Sequence, residues 1–169
     1  MWLSLAFGHY KMPFSLTYDL EDAGWAMARI EDDSAHFDIT VSYLHDSLAQ
    51  LAEAAISLNN GNKSASVIFM DEPGEVHLLL DVKTKEEVLY ELRWFDDWTS
   101  WNMHPADDYK TFHSGQTSLR EFTASVRNQL EEILKTYGEQ GYKERWIEND
   151  FPSTLLLKIQ TEQDAAANP

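Results

Sequence analysis

Residues 36–62, HFDITVSYLHDSLAQLAEAAISLNNGN, change within a few positions from the pattern of a strand to the pattern of a helix. Within 36–43 apolar side chains alternate with polar ones, which is the period of a strand with one buried face. From there the apolar residues recur at helical spacing and predict a helix over about 44–59, with the stripe Leu44, Leu48, Leu51, Ala55 and Leu58. Gly61 can adopt the left-handed conformation that commonly ends a helix. The stretch therefore predicts an α+β fold.

Strand patterns also precede and follow this stretch. FSLTYDL (14–20) and GWAMARI (24–30) read as strands, and with 36–43 they predict an antiparallel meander with short links. A second group of strands is predicted after the helix, at 64–70, 76–82 and 88–95.

A turn and a second helix complete the pattern. DEPGE (71–75) is typical of a turn, and its acidic side chains leave open a second interpretation as a knuckle that touches a partner. Ser118 and Glu121 form a capping box at the start of a long helix over 118–137. Beyond it, a bend and a short terminal helix are predicted, with Pro152 near the first turn of that helix.

These elements predict one α+β domain over residues 1–169. An antiparallel sheet of about six strands should pack one face against the helices at 44–59 and 118–137. The compact core is expected over 14–157 and a frayed tail over 161–169, and no element is assigned to 1–12.

Composition limits the function classes. The chain has 169 residues, with 29 acidic residues against 13 basic ones, and its net charge is −16. Such a charge opposes binding to nucleic acid and to anionic membranes, whereas it favours encounter with a basic protein. Acidity also maintains solubility, so it does not by itself require a partner. The absence of cysteine excludes disulfides and zinc–thiolate sites.

The chain lacks the common motifs for targeting, catalysis and metal binding. The N-terminal run is a poor signal peptide, no stretch approaches the roughly 20 apolar residues of a membrane span, and a cytoplasmic location is expected. The strings G-x-S-x-G, G-x-G-x-x-G, H-E-x-x-H and the P-loop are all lacking, so no catalytic residue and no cofactor is predicted. His104 and His113, with Asp107 and Asp108, are acceptable metal ligands, but their spacing matches no known cage and no metal site is predicted.

The strongest candidate for a binding site is the tryptophan-rich stretch ELRWFDDWTSWNMHP (91–105), with three tryptophans in eight positions. Trp94 alternates with other apolar residues of its strand and is expected in the core. Trp98 and Trp101 belong to residues 96–116, which show neither strand nor helix periodicity. They either fold back onto the domain or meet a partner, and tryptophan is enriched at interface hot spots.

Four aspartates flank these two tryptophans, and together they make up the predicted partner-binding set: Trp98, Trp101, Asp96, Asp97, Asp107 and Asp108. Because charges at the rim of an interface steer encounter, this set is suited to a basic protein.

Four strings together resemble a family of small bacterial proteins, some of which resemble immunity proteins of toxin–immunity loci. They are SYLHDSLAQLAEAAISL (42–58), DEPGE (71–75), LRWFDDW (92–98) and YGEQGYKERWIENDFP (137–152), and the resemblance spans roughly 14–157. It implies an intracellular α+β protein with a toxin-neutralising role, and it supplies no catalytic residue.

The function expected from the sequence is that of a non-enzymatic acidic binding protein, most concretely an immunity protein that caps a basic toxin domain. The alternative is a small-molecule-binding or enzymatic domain with a pocket covered by the 96–116 loop. A third interpretation is a module that associates with copies of itself.

Overall fold

The computed structural model describes residues 14–167, and the expectations for 1–12 and for the last two residues lie outside them. The described residues contain seven strands, three α-helices and one 3-10 turn. In chain order the elements are β1 (Ser15–Leu20), β2 (Trp25–Glu31), β3 (His36–Ser42), α1 (Ser47–Asn59), β4 (Ser64–Met70), β5 (Glu75–Thr84), β6 (Glu87–Phe95), the 3-10 turn (Thr99–Trp101), β7 (Lys110–Thr117), α2 (Leu119–Trp146) and α3 (Ser153–Ala167). The predicted α+β class is confirmed.

The strands form two antiparallel sheets, so the prediction of one sheet of about six strands is wrong. The three-stranded sheet has the order β1-β2-β3 and the four-stranded sheet has the order β4-β5-β6-β7. The chain leaves the first sheet through α1 and starts the second at β4, and no strand pairing joins β3 to β4 among residues 14–167. The first three strands therefore build one sheet and the last four build the other.

The additional strand, β7, lies almost entirely within residues 96–116, where no regular element was predicted. Its periodicity is weak because five of its eight residues are exposed, so it has no continuous apolar face. The pairing with β6 also shifts register between Leu92 and Arg93, which places Phe112 as an extra residue and breaks the alternation.

One hydrophobic core joins the two sheets and the helices. α2 packs against β1, α1 packs against β4, and the two helices contact each other. Strand β3 of the three-stranded sheet contacts the other sheet at both ends of the strand, at β7 and at the β4–β5 turn. At its start Phe37 packs edge-on against Phe112 at 5.4 Å between ring centroids, and at its end the Ser42 hydroxyl donates to Glu72 at 2.5 Å.

α1 and α2 form where the sequence predicts helices, but their ends differ from the predicted ones. α1 begins at Ser47 rather than 44, because the Asp46 side chain accepts from the Ala49 amide and caps the first turn. The predicted capping box of α2 is confirmed at Ser118 and Glu121. α2 does not end near 137: Gly138 leaves helical geometry (φ 65°, ψ 175°) and the helix resumes to Trp146.

Two further segments were assigned from the sequence. α3 continues to Ala167, through most of the segment predicted as a frayed tail. DEPGE forms the predicted turn between β4 and β5, closed by the Asp71 amide donating to the Gly74 carbonyl at 2.9 Å. The acidic-knuckle interpretation of this turn stays a prediction.

Candidate functional site

The connection from β6 to β7, residues 96–109, is here called the tryptophan segment, and local hydrogen bonds fold it into a compact structure. The Met103 amide donates to the Trp98 carbonyl at 3.0 Å, and the Thr99 hydroxyl donates to the His104 carbonyl at 2.9 Å. The His104 ring donates from Nε2 to the Asp108 carbonyl at 2.7 Å. The segment is therefore internally ordered although it contains only one turn of 3-10 helix.

A buried carboxylate, Glu75 at the start of β5, ties this segment to the four-stranded sheet. Its residue exposure is 0%. Its oxygens accept from the Ser100 amide at 2.9 Å, from the Ser100 hydroxyl at 2.6 Å and from His77 Nε2 at 2.7 Å. Burial alone raises the pKa of the Glu75 carboxyl, but these hydrogen bonds outweigh it and lower the pKa below its usual value. The charged form is thus the one that holds Ser100.

Trp98 and Trp101 differ in their surroundings: Trp98 folds back onto the domain, whereas contact of Trp101 with a partner stays a prediction. Trp98 is half-buried, and its indole Nε1 donates to the Asp71 carbonyl in the β4–β5 turn at 2.8 Å. The Trp101 ring packs edge-on against it, with centroids 4.9 Å apart, and is 46% exposed. The structure therefore fixes Trp98 on the domain and presents Trp101 to solvent from that base.

The first tryptophan of the stretch, Trp94, covers the β4–β5 turn and is partly rather than fully buried. A Cβ at Gly74 would lie 2.6 Å from its ring, so the turn and this ring require a glycine here, where φ is also +99°. Trp94 was expected in the core, and the structure bears this out only in part: the ring packs against the core cluster but is not buried in it.

The four aspartates of the predicted set fall into two pairs. Asp96 accepts from Trp94 Nε1 at 2.7 Å, and Asp97 accepts from the Trp98 amide at 2.8 Å, so both orient tryptophans. Asp107 and Asp108 are exposed, although the Asp108 carboxylate also approaches His104 Nε2 at 3.4 Å. Asp96 is also exposed and Asp97 is half-buried, so the two pairs differ in that only Asp96 and Asp97 hydrogen-bond tryptophans.

Further exposed apolar side chains lie on and next to the tryptophan segment. Met103 is 58% exposed, and Tyr109 and Phe112 are exposed as well. The Arg93 guanidinium stacks over the Tyr109 ring at 4.2 Å and supports it from the sheet. Aromatic, methionine and arginine side chains are enriched at protein interfaces.

A second polar cluster, which the sequence did not indicate, lies where the β2–β3 turn meets β6 and β7. The Asp32 carboxylate accepts from the Tyr90 hydroxyl and, at 2.7 Å, from His113 Nε2. Its other oxygen accepts from the Ser34 amide and hydroxyl at 2.8 and 2.7 Å. A Cβ at Gly115 would lie 2.4 Å from the Tyr90 oxygen, so the cluster requires glycine there.

The electrostatics of this cluster favour a structural role. Burial acts to raise the pKa of Asp32, but the hydrogen bonds from Tyr90, Ser34 and His113 lower it strongly. The pKa of Tyr90 is raised by burial and by its bond to Asp32, so the phenol stays protonated and is no nucleophile at neutral pH. These residues lie up to 81 positions apart, and no local sequence signal could have joined them.

The alternative of a ligand pocket is represented by a depression of about 780 Å³ on the outer face of the four-stranded sheet. It is lined by side chains that include Ser66, Leu79, Leu89, Glu91 and Arg93. Its charged groups already satisfy each other, because the Arg93 guanidinium binds both Glu91 oxygens at 2.7 and 3.0 Å. Asp81, also in the lining, pairs with Lys83 at 2.5 Å, so the depression offers serine hydroxyls but no unpaired charge to fix a ligand.

Within residues 14–167, no group of three or more His, Asp or Glu side chains is arranged to hold a metal ion. No helix of the described part is both long and apolar enough to cross a membrane. Comparison of the chain with protein-family models, with curated proteins and with solved structures finds no match. The resemblance to immunity proteins thus stays a prediction.

Proposed function

We propose that this protein is a non-enzymatic binding protein that recognises a basic protein partner through the tryptophan segment. The observation that carries the proposal is the pairing of an exposed Trp101 with a Trp98 that is hydrogen-bonded to the domain. A rigid aromatic side chain that is already positioned loses little conformational entropy on binding, which is the property of an interface anchor.

Charge supports a basic partner in particular. The net charge of −16 attracts positively charged proteins at long range, and Asp107 and Asp108 place exposed carboxylates on the same segment as Trp101. The most concrete form of the proposal is an immunity protein, acting in the cytoplasm, that covers a toxin domain and blocks it by occlusion.

The test is binding to the purified product of the gene that adjoins the gene of this protein. Trp101→Ala should weaken the affinity about 30-fold or more, which corresponds to about 2 kcal/mol for loss of a hot-spot residue. Leu157→Ala on α3 is the matched control, because Leu157 is also apolar and exposed, at 62%, and should leave the affinity unchanged. Co-expression of this protein should also suppress any growth arrest that the neighbouring product causes.

Two results would contradict the proposal. If Trp101→Ala leaves tight binding unchanged, the interface lies elsewhere on the protein. If a basic neighbouring gene product does not bind at all, the proposed partner is wrong. Saturable binding of a small metabolite in the depression on the four-stranded sheet would favour the ligand-binding alternative instead.

A further inference from the structure

The edge strands of the two sheets differ in how well their outward-facing backbone groups are covered. At β1, the outer strand of the three-stranded sheet, α2 lies alongside, and the Tyr18 amide donates to Gln129 Oε1 at 3.0 Å. A helix and a side-chain amide thus satisfy a backbone group that an open edge would leave to water or to another strand.

The β4 edge of the four-stranded sheet is covered in the same way. The Ile68 amide donates to Gln50 Oε1 on α1 at 2.7 Å, and His45 Nε2 donates to the same oxygen at 2.8 Å and holds the glutamine in place. Helix α1 also packs along this strand.

The opposite edge of that sheet, β7, has no such cover among residues 14–167. β7 pairs with β6 on one side only. Among the described residues no side chain bonds a backbone group of Lys110–Thr117, in contrast to Tyr18 and Ile68. Five of its eight residues are exposed, and Phe112 among them is 38% exposed. An exposed strand of this length is a template for one more strand.

We propose that the β7 edge is a strand-addition site for an extended, basic segment of a protein partner. This inference rests on the proposed function for the identity of the partner and extends it, because β7 follows directly on the tryptophan segment. A partner anchored on Trp101 would continue along β7 by main-chain hydrogen bonds, and alternate side chains of its strand would face the two sides of the sheet.

The charge of this edge determines the kind of occupant. A depression of about 410 Å³ lies beside β7, and the β2–β3 turn contributes Asp32, Asp33 and Ser34 to its wall. Asp32 is occupied by Tyr90, His113 and Ser34, whereas the exposed Asp33 has no partner among residues 14–167. Leu89 supplies an apolar wall for the stem of a lysine or arginine side chain.

A second copy of this chain is a poorer occupant than a basic strand. Two copies would each bring a net charge of −16 to the contact, and like charges placed face to face oppose association. β7 itself has one basic residue, Lys110, to set against them.

The experiment uses the full chain and two synthetic peptides of eight residues, one alternating lysine with valine and one alternating lysine with proline. Both carry the same charge, but proline lacks the amide that a strand donates. Backbone amide exchange of residues 110–117 is followed by NMR. With the lysine–valine peptide at saturation, the exchange rate of every second amide should fall by a factor of about ten or more, because alternate amides of an edge strand point outward. The lysine–proline peptide should leave the exchange unchanged.

A variant tests the side-chain part of the proposal. Asp33→Asn should weaken the lysine–valine peptide about two- to fivefold, as expected for one exposed charge contact. Glu148→Gln removes one exposed acid in the turn after α2 and should not weaken it. Equal effects of the two peptides, or protection without a period of two, would overturn strand addition.

The same measurement with the neighbouring gene product separates the two proposals. If that product binds in a Trp101-dependent way while the β7 amides stay unprotected, strand addition is wrong and the proposed function stands. If the lysine–valine peptide protects β7 but the neighbouring product does not bind, the site stands and the proposed partner is wrong.

Discussion

At the scale of single residues, the position of the tryptophan segment depends on one buried charge. Glu75 is fully buried on the sheet, and its acceptors are filled by Ser100 and His77. A carboxylate is buried only where hydrogen bonds replace its water, so the tryptophan segment and Glu75 require each other. The sequence shows Glu75 as one more acid in a turn, because its partner Ser100 lies 25 positions away.

Glu75→Ala tests this dependence. Without the carboxylate the Ser100 amide loses its acceptor, so its hydrogen exchange should become faster and the free energy of unfolding should fall by about 1–3 kcal/mol. Glu86→Ala, which removes an exposed acid from the β5–β6 hairpin, is the control and should change neither quantity. Because the pKa of Glu75 is lowered, its contribution is present above about pH 4.3 and is lost as the pH falls through the lowered pKa. Unchanged exchange at Ser100 would show that other contacts hold the segment.

At the scale of elements, α1 and α2 form the helical side of the core, to which each helix contributes its stripe of apolar side chains. Leu51 and Leu130 are fully buried in the shared cluster. Changing either residue to alanine should lower the free energy of unfolding by about 2–5 kcal/mol, measured by urea denaturation. Leu157→Ala, at an exposed leucine of α3, should stay within about 0.5 kcal/mol. A near-zero loss at both buried sites would disprove the packing of these helices on the sheets.

The burial of each element determines whether the sequence predicts it. β1 to β6, α1 and the first part of α2 have one buried face, so their apolar periodicity is visible in the chain. β7 is mostly exposed and bulged, and nothing in its composition distinguishes it from a loop. The sequence predicts the end of the helix at 137, next to the break at Gly138, but it does not show that the helix resumes to Trp146.

At the scale of the whole molecule, the arrangement of the strands is decided by contacts between distant parts of the chain. The strand signals alone do not say that β3 and β4 belong to different sheets, since both patterns are compatible with one sheet. The candidate site divides in the same way. Composition singles out Trp98 and Trp101 as candidates without showing which of them is exposed, whereas the Asp32–Tyr90–His113 cluster depends on pairs 58 and 81 positions apart.

The charge of the whole molecule leads to a kinetic prediction for the complex with the neighbouring gene product. Raising ionic strength from about 0.05 to 0.5 M shortens the screening length from roughly 14 to 4 Å, so the association rate should fall steeply while the dissociation rate stays nearly constant. Neutralising Asp107 and Asp108 together, as Asn, should slow association in the same way, because exposed rim charges act on encounter.

The remaining variants isolate the other contributions to the same complex. The pair Glu53→Gln and Glu148→Gln removes the same charge from exposed positions outside the tryptophan segment and should slow association less. Trp101→Ala should instead act on the dissociation rate, because an anchor is engaged only after docking. The measurement is stopped-flow kinetics of the wild type and these variants. If both double variants slow association equally, the total charge rather than Asp107 and Asp108 steers the partner, and if salt has no effect, charge does not contribute to its recognition.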